Sequence, residues 1–130
     1  MSKIHFQALN DALNTFEQAM LSPPKSELER DGVIQRFEYT FELCWKSIRK
    51  LLLELGRQDV SSSPKPLFRD AHQENLIGNI DTWFKYIDAR NRTSHTYNQK
   101  TAEQVYDDIK AFGLDARALL EKLNDKLKDC

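Results

Sequence analysis

The sequence predicts an all-α protein, an antiparallel up-and-down bundle of about five helices with a four-helix-bundle core. The chain has 130 residues, of which only four are Gly and four are Pro, whereas average usage of Gly predicts about nine. This scarcity disfavours sandwiches, barrels and dinucleotide folds, which need many tight turns. Apolar residues also recur at steps of three and four, the period of an amphipathic helix. We expect one helical domain spanning residues 1–130, since this length is typical of a single domain.

The first two helices are predicted from their apolar stripes and from the residues at their ends. The first extends from about Lys3 to Leu21, with Ser2 as its N-cap, and ends at the prolines that follow. The second begins at a capping box, residues 26–29, in which the Ser and Glu side chains satisfy each other's backbone donors. It ends at Gly56. With a length of about 45 Å, it is expected to be the spine of the bundle.

The third and fifth helices flank a fourth that is rich in aromatic residues. A turn-rich linker, residues 57–66, precedes the third helix, which ends at Gly78. The fifth helix begins at a second capping box, residues 101–104. The fourth starts at Asn79 or Asp81 and runs toward residue 90. Its inner face is predicted to carry Ile80, Phe84 and Ile87, with Trp83 and Tyr86 beside them. The aromatic residues Trp83, Phe84 and Tyr86 are expected in the core or in a dimer interface rather than as platforms on which bases stack.

Several kinds of protein are disfavoured by what the sequence lacks. No apolar run approaches the roughly 20 residues of a membrane helix, and the first residues lack the apolar segment of a signal peptide. We therefore expect a cytoplasmic protein that does not engage a membrane. There is no Gly-rich phosphate loop and no Gly-Ser entry to a transferase site. The three His show no ligand spacing, so no metal and no cofactor are expected.

The two cysteines show neither metal spacing nor a disulfide framework. Cys44 lies in an apolar stretch and is expected to be a small core residue. Cys130 is expected to be an exposed thiol. Two histidines, His5 and His72, are expected at the surface.

One segment, residues 90–100, is densely polar: Arg-Asn-Arg-Thr-Ser-His-Thr-Tyr-Asn-Gln-Lys. One interpretation is a solvated helix C-terminus and loop, since cations suit that end of a helix. The other is a phosphate or RNA site. An Arg guanidinium can donate two parallel hydrogen bonds to one phosphate, and His can exchange a proton near neutral pH. On one helix Arg90 and His95 would point about 140° apart. Either the helix ends before His95, or two copies of the chain meet.

The pattern Arg90-Asn91-x-x-x-His95-x-Tyr97 resembles the signature of the HEPN (higher eukaryotes and prokaryotes nucleotide-binding) superfamily. A second segment, residues 37–46, is similar to the long-helix segment of the nucleotidyltransferase substrate-binding protein family, which belongs to that superfamily. The resemblance covers most of the chain, from about residue 5 to about residue 125.

The resemblance implies a HEPN-like bundle, usually a homodimer, that pairs with a separately encoded minimal nucleotidyltransferase. In one role this subunit binds the substrate or nucleotide while its partner transfers the nucleotide. In the other it is the toxin of a toxin–antitoxin pair, a metal-independent endoribonuclease with Arg90, Asn91 and His95 as catalytic residues. The partner would then silence it by adding AMP to Tyr97. The implied ligand is a nucleotide or RNA.

Polar residues on the long helix have two interpretations. Glu38, Glu42 and Lys46 step by four, which is usual for a solvated face of i,i+4 ion pairs. Alternatively they line a groove beside the Arg-His motif together with Trp45, an amphipathic anchor on that side. In that case Arg92 belongs to the same binding surface.

Overall fold

The computed structural model describes residues 4–129, and every regular element in that range is helical. The all-α class predicted from the sequence is therefore confirmed. Within those residues, no helix combines the length and apolar character that a membrane crossing requires. The elements in chain order are α1 Gln7–Ala19, α2 Glu27–Glu54, α3 Pro64–Gln73, α4 Ile80–Arg92, a 3₁₀ turn Thr93–His95, α5 Gln99–Asp108 and α6 Phe112–Lys128.

The long helix α2 is the spine of the bundle, as predicted, because every other α-helix packs against it. Its N-cap is Ser26, whose hydroxyl accepts a hydrogen bond from the backbone N–H of Glu29 at 3.1 Å. The capping box is only half formed, since the Glu29 carboxylate accepts from the N–H of Lys25 instead. The second predicted capping box is wrong. The N-cap of α5 lies three residues earlier, at Asn98, whose side chain accepts from the N–H of Thr101.

Two helices end on a residue in the left-handed backbone region. Gly56 has φ +85°, and its N–H donates to the carbonyl of Leu53 at 3.0 Å, so it ends α2 as predicted. α3 ends in the same way at Asn75, which has φ +61°. The predicted stop at Gly78 is therefore wrong, because Asn also tolerates this conformation and comes first in the chain.

Two other boundaries differ from the prediction. α1 begins at Gln7 rather than at Lys3, and the predicted cap Ser2 lies outside the described residues. The predicted fifth helix is two helices, α5 and α6, separated by a turn around Lys110. Ile109 and Phe112 on the two sides of this turn are both fully buried. The chain turns here because α5 packs on α4 whereas α6 packs on α1.

The core is centred on Phe112 at the start of α6. This side chain is fully buried, and its ring centroid lies 4.9–6.4 Å from those of five other aromatic rings, namely Phe16, Phe37, Phe41, Trp83 and Tyr86. Edge-to-face pairs of this kind add about 0.5–1.5 kcal/mol each to the energy of burial. Cys44 is also fully buried, as predicted, while Cys130 lies outside the described residues.

The inner face of α4 differs from the predicted one. Trp83 and Tyr86 are buried, whereas Ile80, Phe84 and Ile87 are only partly buried. Apolar residues occupy both faces of this helix, so its periodicity does not fix the rotation. Turning the helix so that the two larger rings meet Phe112 removes more apolar area from water.

Candidate functional site

Arg90 lies in the last turn of α4, and local hydrogen bonds hold it there. Its guanidinium donates to the hydroxyl of Thr93 at 3.1 Å. The same hydroxyl donates to the backbone carbonyl of Arg90 at 2.7 Å. Thr93 is buried, so this pair of hydrogen bonds is shielded from water. Thr93 was not among the residues predicted for the site, although its position three residues after Arg90 on a helix places the two side chains together.

The α-helix ends before His95, which is one of the two conditions that the spacing of Arg90 and His95 requires. His95 belongs to the 3₁₀ turn, and its carbonyl accepts from the N–H of Asn98 at 3.1 Å. Tyr97 lies just beyond, with 80% of its surface exposed. The rings of His95 and Tyr97 meet edge to face with centroids 6.1 Å apart. Both side chains therefore face solvent on one short segment.

Two adjoining grooves meet at Arg90. One, of about 280 Å³, is lined by Gln35, Glu38, Tyr39 and Glu42 of α2 together with Arg90. The other, of about 220 Å³, is lined by Phe41, Glu42, Trp45, Pro64, Ile87, Arg90 and Asn91. The structure thus brings four of the predicted site residues to Arg90: Glu38, Glu42, Trp45 and Asn91. His95 and Tyr97 line neither groove.

Two predicted groove residues take part in ion pairs instead of lining a groove. Lys46 lies 3.7 Å from the carboxylate of Glu42 and is half exposed. Arg92 pairs with Asp88 at 3.1 Å on its own helix and also with Asp108 of α5. These pairs satisfy the charge of Arg92 and tie α4 to α5. They therefore hold the two ends of the segment that carries His95 and Tyr97.

The guanidinium of Arg90 keeps hydrogen-bonding capacity. Its Nε is buried and has no hydrogen-bond partner among residues 4–129. Although Glu38 and Glu42 line its groove, neither lies within ion-pair distance of it in the described part of the chain. A buried donor without a partner is costly. The exposed part of the side chain lines both grooves, where an acceptor such as a phosphate oxygen can meet the guanidinium.

The rest of the molecule adds structural rather than reactive groups. In residues 4–129 no cluster of three His, Cys, Asp or Glu side chains is arranged to hold a metal ion. A separate cavity of about 380 Å³ lies beside Asn79, Trp83 and Asp115. Asp115 accepts a hydrogen bond from the hydroxyl of Tyr86. Burial of the phenol raises the pKa of Tyr86 above its ordinary range, and the Asp115 carboxylate raises it further. His5 and His72 are exposed, as predicted.

Solved structures similar to this chain have the same fold. One, from Haemophilus influenzae, is described as revealing the fold of a substrate binding domain of a nucleotidyltransferase. It is 31% identical, with a TM-score of 0.80 over 92% of this chain and 99% of that one. A crystal structure of a protein from Thermus thermophilus is 32% identical, with a TM-score of 0.75 over 92% of this chain and 98% of that one.

Sequence comparisons agree with the structural ones. A protein from Haemophilus influenzae named probable ribonuclease HepT is 37% identical over 98 residues, which are 73% of this chain and 67% of that protein. The family described as nucleotidyltransferase substrate binding protein like matches residues 4–125. That match covers nearly the whole chain, and the chain therefore belongs to the nucleotidyltransferase substrate-binding protein family.

Proposed function

We propose that this chain pairs with a separately encoded minimal nucleotidyltransferase and that Arg90-Asn91-x-x-x-His95-x-Tyr97 is its functional site. The observation that carries this proposal is the exposure of Tyr97, 80% of whose surface is accessible. Tyrosine is intermediate in burial on average, so a side chain this exposed is open to contact by another protein. The hydroxyl of Tyr97 makes no hydrogen bond within residues 4–129, which supports its accessibility to another protein.

The chemistry proposed at Tyr97 is the transfer of AMP from ATP by the partner. The phenol oxygen attacks the α-phosphorus, the bond to the bridging oxygen breaks, and pyrophosphate leaves as the phenol loses its proton. The product carries a negatively charged nucleotide two residues from His95. Its bulk and charge would obstruct access of another phosphate to that side chain.

Co-expression with a minimal nucleotidyltransferase encoded by a neighbouring gene tests the partnership. We expect the two proteins to co-purify, and we expect the intact mass of this chain to rise by one AMP unit. Tyr97→Phe should remove the added mass and keep the complex. Tyr106→Phe, a change to a partly buried tyrosine of α5 that lines neither groove, is the control and should keep the modification. A transferase that neither co-purifies nor modifies this chain would overturn the partnership.

A second function, metal-independent endoribonuclease activity, is favoured by the pairing of residue types at the end of α4. Arg90 lines two open grooves, and His95 follows on an exposed turn. The 2′-hydroxyl of RNA attacks the adjacent phosphorus, and its proton passes to a base such as the imidazole of His95. The bond to the 5′ oxygen breaks, and that oxygen takes up a proton. Arg90 stabilises the charge that develops on the phosphate.

Cleavage of a labelled single-stranded RNA in the presence of EDTA tests this second function. We expect His95→Ala and Arg90→Ala each to lower the rate by about 10²-fold or more, the usual effect of removing a proton-transfer group or a charge stabiliser. His72→Ala changes another exposed histidine and should leave the rate unaltered. If His95→Ala cleaves as fast as the unmodified protein, the assignment of the site is wrong.

A further inference from the structure

A cluster of two cations and one aromatic ring lies beside the Arg90 groove. Phe84 of α4 is only partly buried. Two cations from α3 lie over its ring, with Lys65 Nζ 5.2 Å and Arg69 Cζ 5.5 Å from the ring centroid. Contacts of this kind orient long side chains that would otherwise be mobile. Lys65, Arg69 and Phe84 are called the basic cluster below.

Both cations of the basic cluster are available to a ligand. Within residues 4–129 neither makes an ion pair or a hydrogen bond, and both are exposed. Other arginines of the chain are engaged: Arg57 pairs with Asp70 and Glu74, and Arg117 pairs with Glu17. The segment 60–69 carries both cations of the cluster and no acid, and Asp70, which follows Arg69 directly, pairs with Arg57 instead. Within residues 4–129 no carboxylate therefore compensates either cation at ion-pair distance.

The basic cluster adjoins the groove that Arg90 lines. Pro64, the residue before Lys65, belongs to that groove, and so does Ile87, which lies one turn of α4 beyond Phe84. From Phe84 to Asn91 is seven residues, or about 10 Å along the helix. A ligand in the Arg90 groove that extends along α4 would therefore meet the cluster.

Charge decides the side of Arg90 on which a polyanion can continue. On the α2 side the grooves contain the carboxylates of Glu38 and Glu42, which repel phosphate. Lys46 compensates only one of them, at 3.7 Å. On the α3 side the basic cluster offers two uncompensated cations and an aromatic ring.

We propose that Lys65 and Arg69, held over Phe84, bind the phosphate backbone of single-stranded RNA that leaves the Arg90 groove along α4. This inference rests on the endoribonuclease activity proposed above. Unpaired cations beside an aromatic ring are the combination that binds single strands with little regard to sequence. The cluster therefore contributes affinity and direction rather than base specificity.

Binding of a fluorescently labelled 20-nucleotide single-stranded RNA, measured by anisotropy over a range of salt concentrations, tests the proposal. All proteins carry His95→Ala so that the RNA stays intact. The test variant is Lys65→Gln/Arg69→Gln. The matched control is Lys122→Gln/Lys128→Gln, which removes two exposed cations from α6.

For the test variant we expect the slope of log Kd against log salt to fall by about 1.4, since each phosphate contact on a single strand contributes about 0.7. The affinity in 0.1 M salt should fall roughly tenfold. The control should change the affinity less than about twofold.

Different failures are distinguishable. If the His95→Ala protein does not bind RNA at low salt, both this inference and the ribonuclease activity are overturned. If it binds and the test variant has the same affinity and slope, only the basic cluster is overturned. An equal loss of RNA affinity in the control variant would mean that net charge causes the effect. That result would also overturn the role of the basic cluster. A change in the mass of the assembly in solution with unaltered RNA affinity would make this face a protein interface instead.

Discussion

Thr93 and Arg90 are joined by two hydrogen bonds through a single buried hydroxyl. It accepts from the Arg90 guanidinium at 3.1 Å and donates to the Arg90 carbonyl at 2.7 Å. The same carbonyl also accepts the backbone N–H of Thr93. The Thr93 hydroxyl thus links the guanidinium of Arg90 to the last turn of α4 and orients it.

Thr93→Val should weaken function more than Thr93→Ser, because Val keeps the shape and loses the hydroxyl. We expect Val to destabilise the fold by about 1–2 kcal/mol, the cost of leaving buried groups unsatisfied. We also expect RNA cleavage to fall roughly tenfold, since a loss of orientation worth about 1.4 kcal/mol has that effect on a rate. Urea denaturation and cleavage assays measure the two quantities. When Arg90→Ala is also present, the Thr93→Val and Thr93→Ser proteins should cleave RNA at the same rate. A remaining difference between the two rates would refute the idea that Thr93 acts by positioning Arg90.

Arg92 is expected to stabilise the site segment rather than bind RNA. Its guanidinium pairs with Asp88 and Asp108, so Arg92→Ala should lower the free energy of unfolding by about 1 kcal/mol. The loss should shrink at high salt because these groups are partly exposed. Asp108→Asn should reproduce it. The salt dependence of RNA binding should change less in Arg92→Ala than in Arg90→Ala, and the reverse order would make Arg92 a phosphate ligand.

Phe112 is expected to be the side chain whose loss costs the core most. Its ring contacts five other rings, so Phe112→Ala should destabilise the protein by about 3–5 kcal/mol through lost contacts and a cavity. Leu114 on the same helix is 81% exposed. Leu114→Ala is therefore the matched control and should cost less than about 0.5 kcal/mol. Chemical denaturation gives both values, and similar losses for the two variants would contradict the placement of α6.

Stability should fall at alkaline pH because of Tyr86. Burial and the adjacent Asp115 raise the pKa of this phenol in the folded protein, whereas the unfolded chain releases the proton near its ordinary value of about 10. The unfolded state then binds fewer protons, so unfolding becomes easier as pH rises through that value.

Denaturation over a range of about pH 8 to 11, on both sides of the ordinary phenol pKa, measures this effect against Tyr86→Phe. Above about pH 10 the unmodified protein should lose up to about 1.4 kcal/mol per pH unit more than the variant. Burial also raises the pKa of Cys44, but both proteins contain that thiol, so its contribution cancels in the comparison. Parallel pH profiles would show that the Tyr86 hydroxyl titrates normally.

The sequence predicted the end of a helix correctly where a single residue had a strong local preference for that position. Ser26 caps α2, and Gly56, with φ +85°, ends it, because capping and left-handed backbone depend on neighbouring residues alone. Where two residues offered the same signal, the prediction selected the wrong one. Asn75 precedes Gly78 and ends α3, and Asn98 precedes Thr101 and caps α5.

The candidate site shows the same division. The motif itself was readable from the sequence, and so was the requirement that either the helix ends before His95 or two copies of the chain meet. The contacts across helices were not, because they depend on how α2, α3 and α4 are rotated. The groove that joins Trp45, Pro64 and Arg90 and the pairing of Arg92 with Asp108 combine residues that are far apart in the chain.

By itself the sequence determined the all-α class, the long central helix and the position of the Arg-His-Tyr motif, since these follow from periodicity, composition and short spacings. The tertiary structure alone decided the break between α5 and α6 and the inner face of α4. Both follow from packing around Phe112, where burial of large rings outweighs local helical preference. It also distinguished Arg92, which pairs with two carboxylates, from Lys65 and Arg69, which make no ion pair within residues 4–129, because compensation of a charge depends on distances in space.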